Sequence, residues 1–187
     1  LAYQPIRSLA TINMTAYQGA DAAKRVFSVI DKPIKIKNEE ELPDLQTTNC
    51  KIEFNNIGFK YETTNERAIN KINLEVEGGK ITALVGQSGA GKTTIINLIP
   101  RFYDPQEGSI NIDDQDIKKV NLNSLRDKIS LVSQDVVLFD DTIKNNISYA
   151  NPIASEKDIK EACEFAAADQ FIEKLPNKYE TIIGENG

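Results

Sequence analysis

The 187-residue chain contains no histidine, no tryptophan, one methionine and two cysteines. Without histidine the commonest general base is missing, so any catalysis must rest on carboxylates, lysine or a metal. Cys50 and Cys163 lie far apart and share no metal-ligand spacing. Zinc sites and Cys/His nucleophile pairs therefore have almost no raw material. Both cysteines are expected to be small, half-buried apolar residues of a reducing compartment. Excess positive charge is also lacking: 22 basic against 28 acidic residues give a net charge of −6 and a pI near 4.9. An acidic chain repels phosphate polymers, and Lys118-Lys119 is no more than a pair, so no nucleic-acid partner is expected. No run approaches the ~18–20 apolar residues that cross a bilayer. Residues 1–12 lack the basic-then-apolar order of a signal peptide. Taken alone these residues read as soluble. The start at Leu1 and the stop at the turn-like Gly184-Glu185-Asn186-Gly187 read as an excerpt of a longer chain.

What is present suits one domain plus an appendage: 40% hydrophobic and 27% charged residues is an ordinary globular balance. Residues 1–30 read as a helix with Val26, Phe27, Val29 and Ile30 on an apolar face, stopped by Asp31-Lys32-Pro33. The domain boundaries expected are residues 1–31 for that helix, 32–48 for a polar linker, and 49–187 for the folded domain. The linker carries the acidic triplet Glu39-Glu40-Glu41, read as a solvated stretch. Ile52, Phe54, Ile57 and Phe59 alternate as a strand with a bulge-like interruption, and Ile72, Leu74 and Val76 alternate again. The short apolar run 81–85, flanked by Gly79 and Gly86, predicts a central buried strand. A helix is expected over 92–102, strands over 109–112 and 129–132, and a turn at Asp113-Asp114. A further helix is expected over 155–175, capped by Ser155.

Gly86-Gln87-Ser88-Gly89-Ala90-Gly91-Lys92-Thr93 matches the phosphate-loop, or Walker A, pattern and lies between a predicted strand and a predicted helix. Its glycines let successive backbone N–H groups turn inward as a nest for phosphate oxygens. The helix opening at Lys92 adds the positive end of its dipole. Lys92 is placed to reach the β- and γ-phosphates, the Thr93 hydroxyl to ligate Mg²⁺, and Thr94 to bond a phosphate. The competing reading is a glycine-rich strand–helix turn without a ligand, which the flanking context disfavours.

A phosphate loop alone does not choose between kinases, GTPases and transport ATPases. The order Phe59-Lys60-Tyr61, phosphate loop, Arg101-Phe102-Tyr103-Asp104-Pro105, Leu131-Val132-Ser133-Gln134-Asp135 resembles the ATP-binding domain of ABC exporters. Leu138-Phe139 and Asp141-Thr142-Ile143-Lys144-Asn145-Asn146-Ile147 extend the likeness, and Gly184-Glu185-Asn186-Gly187 is similar to the segment before the signature helix. More weakly, the stretch from Pro5-Ile6-Arg7-Ser8-Leu9 to Asp31 is similar to the cytoplasmic end of a last transmembrane helix. The fold implied is α/β: a P-loop NTPase core with an antiparallel β subdomain, preceded by the N-terminal helix and incomplete at its C-terminus. The resemblance makes Tyr61 the aromatic on which adenine stacks. It makes Gln134 a glutamine that contacts Mg²⁺ or water near the γ-phosphate. It implies an ATP hydrolase on the cytoplasmic face of a bacterial inner membrane, driving export of a lipid or amphiphile, lipid A being one instance. The implied partners are a second ATP-binding domain in a homodimer and the protein's own transmembrane domain, with Phe102-Tyr103 helping to receive that domain's loops.

One alternative stays open. Val136-Val137-Leu138-Phe139-Asp140 imitates the apolar strand whose terminal Asp holds Mg²⁺ in other P-loop enzymes. Asp140 would then be a metal ligand, and the protein a soluble, non-transport ATPase. Against it, Asp141-Thr142 fits a helix cap before 143–149. A third reading is a nucleotide-gated binding module without turnover. The chain has no Leu-Ser-Gly-Gly-Gln signature run, no carboxylate base in its expected setting and no switch histidine. Residues 1–187 by themselves are therefore expected to bind nucleotide weakly and not to hydrolyse it.

Overall fold

The computed structural model of the chain describes residues 3–39, 41–134 and 136–184, with side chains described from residue 12 onward except 13. Glu40, Asp135 and the Glu185-Asn186-Gly187 end of the expected pre-signature segment lie outside the described residues, as do the side chains of Pro5-Ile6-Arg7-Ser8-Leu9. The chain falls into two units, Leu1–Ser130 and Leu131–Gly187.

The first unit opens with helix α1 (Tyr3–Ile30), which ends where expected, ahead of Pro33. Alternating apolar residues then build an antiparallel sheet from β1 (Ile52–Phe59), β2 (Ile69–Val76), β3 (Glu107–Ile112) and the short β4 (Gln115–Asp116). The spatial order is β2-β1-β3-β4. Phe54 faces Leu74 and Phe59 faces Ile69, with register shifts around Ile57 that match the expected bulge. The shifts keep Phe54, Ile57 and Phe59 all buried despite their broken alternation. Over that face pack α2 (Lys92–Leu98), through Ile95 and Leu98, and α3 (Leu122–Asp127), through Leu122 and Leu125.

Asn38 and residues 41–51 do not hang free as a linker composition suggests. Leu45 is buried in the core. The Leu45 amide donates to Ser124 Oγ at 2.9 Å, and Asn38 Oδ1 accepts from the Leu122 amide at 2.8 Å. The strap ends at the Asp113-Asp114 turn, where both residues adopt the left-handed backbone expected of a tight hairpin, φ 46° and 65°. The Asp113 carboxylate accepts from the amides of Thr48, Asn49 and Cys50 through one oxygen and of Lys51 through the other. These amides, Thr48 and Lys51 foremost, hold its carboxyl at about 2, against an ordinary 3.8. The folded state thus prefers the ionised carboxylate, and its contribution to stability is complete above the ordinary value and lost as pH falls toward 2. Acidification across that window should free residues 48–51, seen as faster amide exchange there, and Asp113→Asn should remove most of the pH dependence. Exchange that is pH-independent in both proteins, after correction for intrinsic rates, would contradict this.

Three elements expected between residues 81 and 132 need correction. Residues 81–85 form no strand: Ile81 and Val85 are 102% and 93% exposed. Residues 129–132 form none either, with Val132 94% exposed. An extended apolar run becomes a strand only when a neighbour supplies hydrogen bonds and a face to bury. Among the described residues neither run pairs with another strand, although Leu84 and Ile129 pack against the core. The helix expected over 92–102 ends at Leu98. The amides of Arg101 and Phe102 turn back onto the carbonyls of Leu98 and Asn97, with Arg101 at φ 52°.

The second unit pairs β5 (Asp141–Thr142) with β6 (Ile182–Ile183) and carries α4 (Ile143–Ser148), α5 (Glu156–Phe165) and α6 (Asp169–Ile172). Ser155 caps α5 as expected, and the structure adds a reciprocal bond with Asp158. The helix expected over 155–175 is nevertheless broken: Ala167 sits at φ 54° and the Ala168 amide reaches back to Cys163. That break turns Ile172 into a small core with Ile143, Ile159 and Cys163. Of the two cysteines only Cys163 is buried. Cys50 is exposed, at φ 57°, because it lies in the strap that Asp113 holds at the surface.

Candidate functional site

The phosphate-loop residues all belong to the first unit. Gly86, Gln87, Ser88, Gly89 and Ala90 form an exposed loop closed by a bond from the Ala90 amide to the Gln87 carbonyl. Gly89 and Gly91 take φ of 81° and 85°, where glycine bears no steric penalty. Gly91 is also the N-cap of α2, and a methyl group there would lie 2.7 Å from the Ala68 carbonyl oxygen. With no side chain capping α2, the amides of its first turn have no intrahelical acceptor and remain available to an anion.

Lys92 folds back into the loop, its Nζ donating to the carbonyls of Gly86 and Gln87, each at 2.7 Å. Neutral carbonyls are weaker acceptors than a phosphate oxygen, so this ammonium is held at the mouth of the loop by bonds that an anion can replace. Thr93 is exposed on the first turn and Thr94 is buried. The Thr94 hydroxyl, expected near a phosphate, instead lies 3.0 Å from the Tyr61 hydroxyl.

Tyr61 lies two residues beyond the end of β1. Its ring stands at 87° to those of Phe59 and Tyr103, with centroids 4.8 and 5.2 Å away. These rings line one side of a cavity of about 400 Å³, together with Phe102, Lys35 and Ile36. The sequence reading missed what supports Phe102 and Tyr103. Buried Arg101 forms a two-pronged ion pair with Asp104, at 3.0 and 3.1 Å, and donates to the Ile117 carbonyl. The signal available was opposite charges three residues apart, bracketing two aromatics.

Gln134 lies exposed in the second unit. The apolar strand needed to make Asp140 a metal ligand does not form: Val136 and Val137 are 70% and 79% exposed. Thr142, beside Asp141, caps α4 by accepting from the Asn145 amide, the arrangement expected in its place. Among the described residues no group of three or more Cys, Asp or Glu is placed to hold a metal ion. The Thr93 hydroxyl is a hard oxygen donor of the kind that a magnesium ion takes beside phosphate and water oxygens.

Residues 69–187 match the family model described as ABC transporter. Over all of its length the chain is 45% identical to the ATP-dependent lipid A-core flippase of Desulfotalea psychrophila, of which it covers 32%. It is 46% identical over 99% of its length to the flippase of the same name from Syntrophus aciditrophicus, of which it covers 30%. Among solved structures, a bacterial Atm1-family ABC exporter with ATP bound superposes with a TM-score of 0.81 at 39% identity, over 98% of this chain and 32% of that one. The chain thus spans about a third of the length of these relatives. A glycine cradle with its lysine, set behind an antiparallel sheet, and this likeness along the whole sequence lead to one family: the chain belongs to the ABC transporters, as part of their ATP-binding domain.

Proposed function

We propose that this chain is the ATP-binding part of an exporter that couples ATP hydrolysis to moving a lipid or amphiphile, with lipid A as one instance, across a bacterial inner membrane. The observation that carries the reading is the Lys92 ammonium, held at 2.7 Å by two carbonyls of its own glycine loop and free to exchange them for phosphate oxygens. The nucleotide's phosphates would take the first-turn amides of α2 together with Lys92. Gly86, Gln87, Ser88, Gly89, Ala90 and Gly91 would supply the cradle, and Tyr61 the stacking surface for adenine. Thr93 would hold Mg²⁺, which supplies charge neutralisation across the transferred phosphate.

The remaining parts of the proposal concern partners. A second ATP-binding domain, in a homodimer, would complete the site. The protein's own transmembrane domain would join at residues 1–31, with 32–48 as the connection into the domain at 49–187, on the cytoplasmic face. Exposed Val26, Phe27, Val29 and Ile30 support a covered position for α1 in the whole protein. No described helix is itself long and apolar enough to cross a membrane. Lipid cargo is supported by the flippase relatives.

The test is nucleotide affinity of the complete protein in detergent with Mg²⁺. Base stacking on an aromatic is worth ~1–3 kcal/mol, so Tyr61→Ala should weaken ATP binding roughly ten-fold or more. An unchanged affinity would remove Tyr61 from the site.

A further inference from the structure

We infer that the Thr94 side chain is a positioning group for the base rather than a phosphate contact: its hydroxyl sets the direction of the Tyr61 ring. The inference rests on the nucleotide-binding reading above and assigns Thr94 a different task within it. Thr94 is 5% exposed and sits in the first turn of α2, the helix that carries Lys92. Its hydroxyl is 3.0 Å from that of Tyr61, 33 residues earlier in the chain. A buried hydroxyl requires a partner, and here Tyr61 provides it.

The geometry of a phenol explains why this bond matters. The tyrosine oxygen lies on the axis about which the ring turns, so a bond to it fixes where the ring points but not its plane. The plane is restrained separately, by the perpendicular rings of Phe59 and Tyr103. Together the two restraints present one orientation to a flat base, reducing the ordering cost of binding. A second contact makes the arrangement stiff. Gly91, three residues before Thr94, lies against the Ala68 carbonyl, and the Ala68 amide donates to the carbonyl of Phe59, two residues before Tyr61. Loop, helix and stacking ring thus form one connected unit, through which a shift of the phosphate loop would tilt the base platform.

The decisive measurement compares ATP with inorganic tripolyphosphate, which has the phosphates and no base, on the complete protein. Thr94→Val keeps the shape and removes the hydroxyl. It should lower the affinity for ATP about five-fold more than that for tripolyphosphate. Thr94→Ser should restore the ratio, and on a Tyr61→Phe background Thr94→Val should add nothing. Equal losses for both ligands would show a phosphate contact and overturn the inference, as would no change in either. Should Thr94→Val fail to fold, Tyr61→Phe alone gives the same readout, since it deletes the other hydroxyl and keeps the ring. Lys92→Ala separates the two claims: if it leaves tripolyphosphate binding intact, the nucleotide-binding reading itself fails.

Discussion

Replacing Lys92 with alanine in the complete protein is expected to reduce ATP turnover by roughly 100-fold or more, the scale on which removal of one preorganised charge-stabilising donor acts. The ammonium now bonds two loop carbonyls at 2.7 Å, so its position is fixed by the loop before any ligand arrives. Fixed donors need little reorganisation when charge develops on a transferring phosphate, which is why the loss should fall on turnover as well as on affinity. Lys92→Arg tests the geometry separately. A planar guanidinium cannot occupy the point between the Gly86 and Gln87 carbonyls that a compact ammonium fills, so it should rescue little despite keeping the charge. Turnover within ten-fold of the parent for Lys92→Ala would refute the assignment.

Gly91→Ala should be the most damaging single methyl group in the loop. At φ 85° a side chain costs about 1–2 kcal/mol, and the new carbon would lie 2.7 Å from the Ala68 carbonyl oxygen, where overpacking adds about 1–3 kcal/mol. The sum, about 2–5 kcal/mol, appears either as lost stability or as a displaced loop that no longer binds ATP. Gly89→Ala is the internal control. It shares a positive φ, 81°, but a carbon there meets nothing within 4 Å, so only the backbone penalty applies. Paired thermal unfolding and ATP titrations should therefore rank Gly91→Ala well below Gly89→Ala. Equal behaviour would mean that the approach to Ala68 is immaterial.

Much of this molecule is legible in its sequence, because the signals are local. The bulged alternation of Phe54, Ile57 and Phe59 makes β1, Ser155 caps the start of α5, and Thr142 caps α4. Each depends on residues within a few positions of one another, where periodicity and capping chemistry act. The misreadings share the opposite property. The run 81–85 has the composition of a buried strand, yet composition cannot supply a neighbour to pair with. The helix expected over 155–175 breaks at Ala167, a residue with high helix propensity, because turning there lets Ile172 reach a core that the local sequence does not reveal. The polar strap before β1 reads as loose linker, yet Leu45 anchors it in the core.

The candidate site divides along the same line. The sequence alone determined the glycine spacing, the lysine and the two threonines, since a chain that must curl its amides inward next to a helix needs those residue types at that spacing. Only the tertiary structure decided that Thr94 meets Tyr61 across 33 residues, and that Asp113 gathers four amides, the farthest 65 residues away. Backbone conformation follows from neighbours in the chain, whereas the choice of hydrogen-bond partner follows from which surfaces the hydrophobic core brings together.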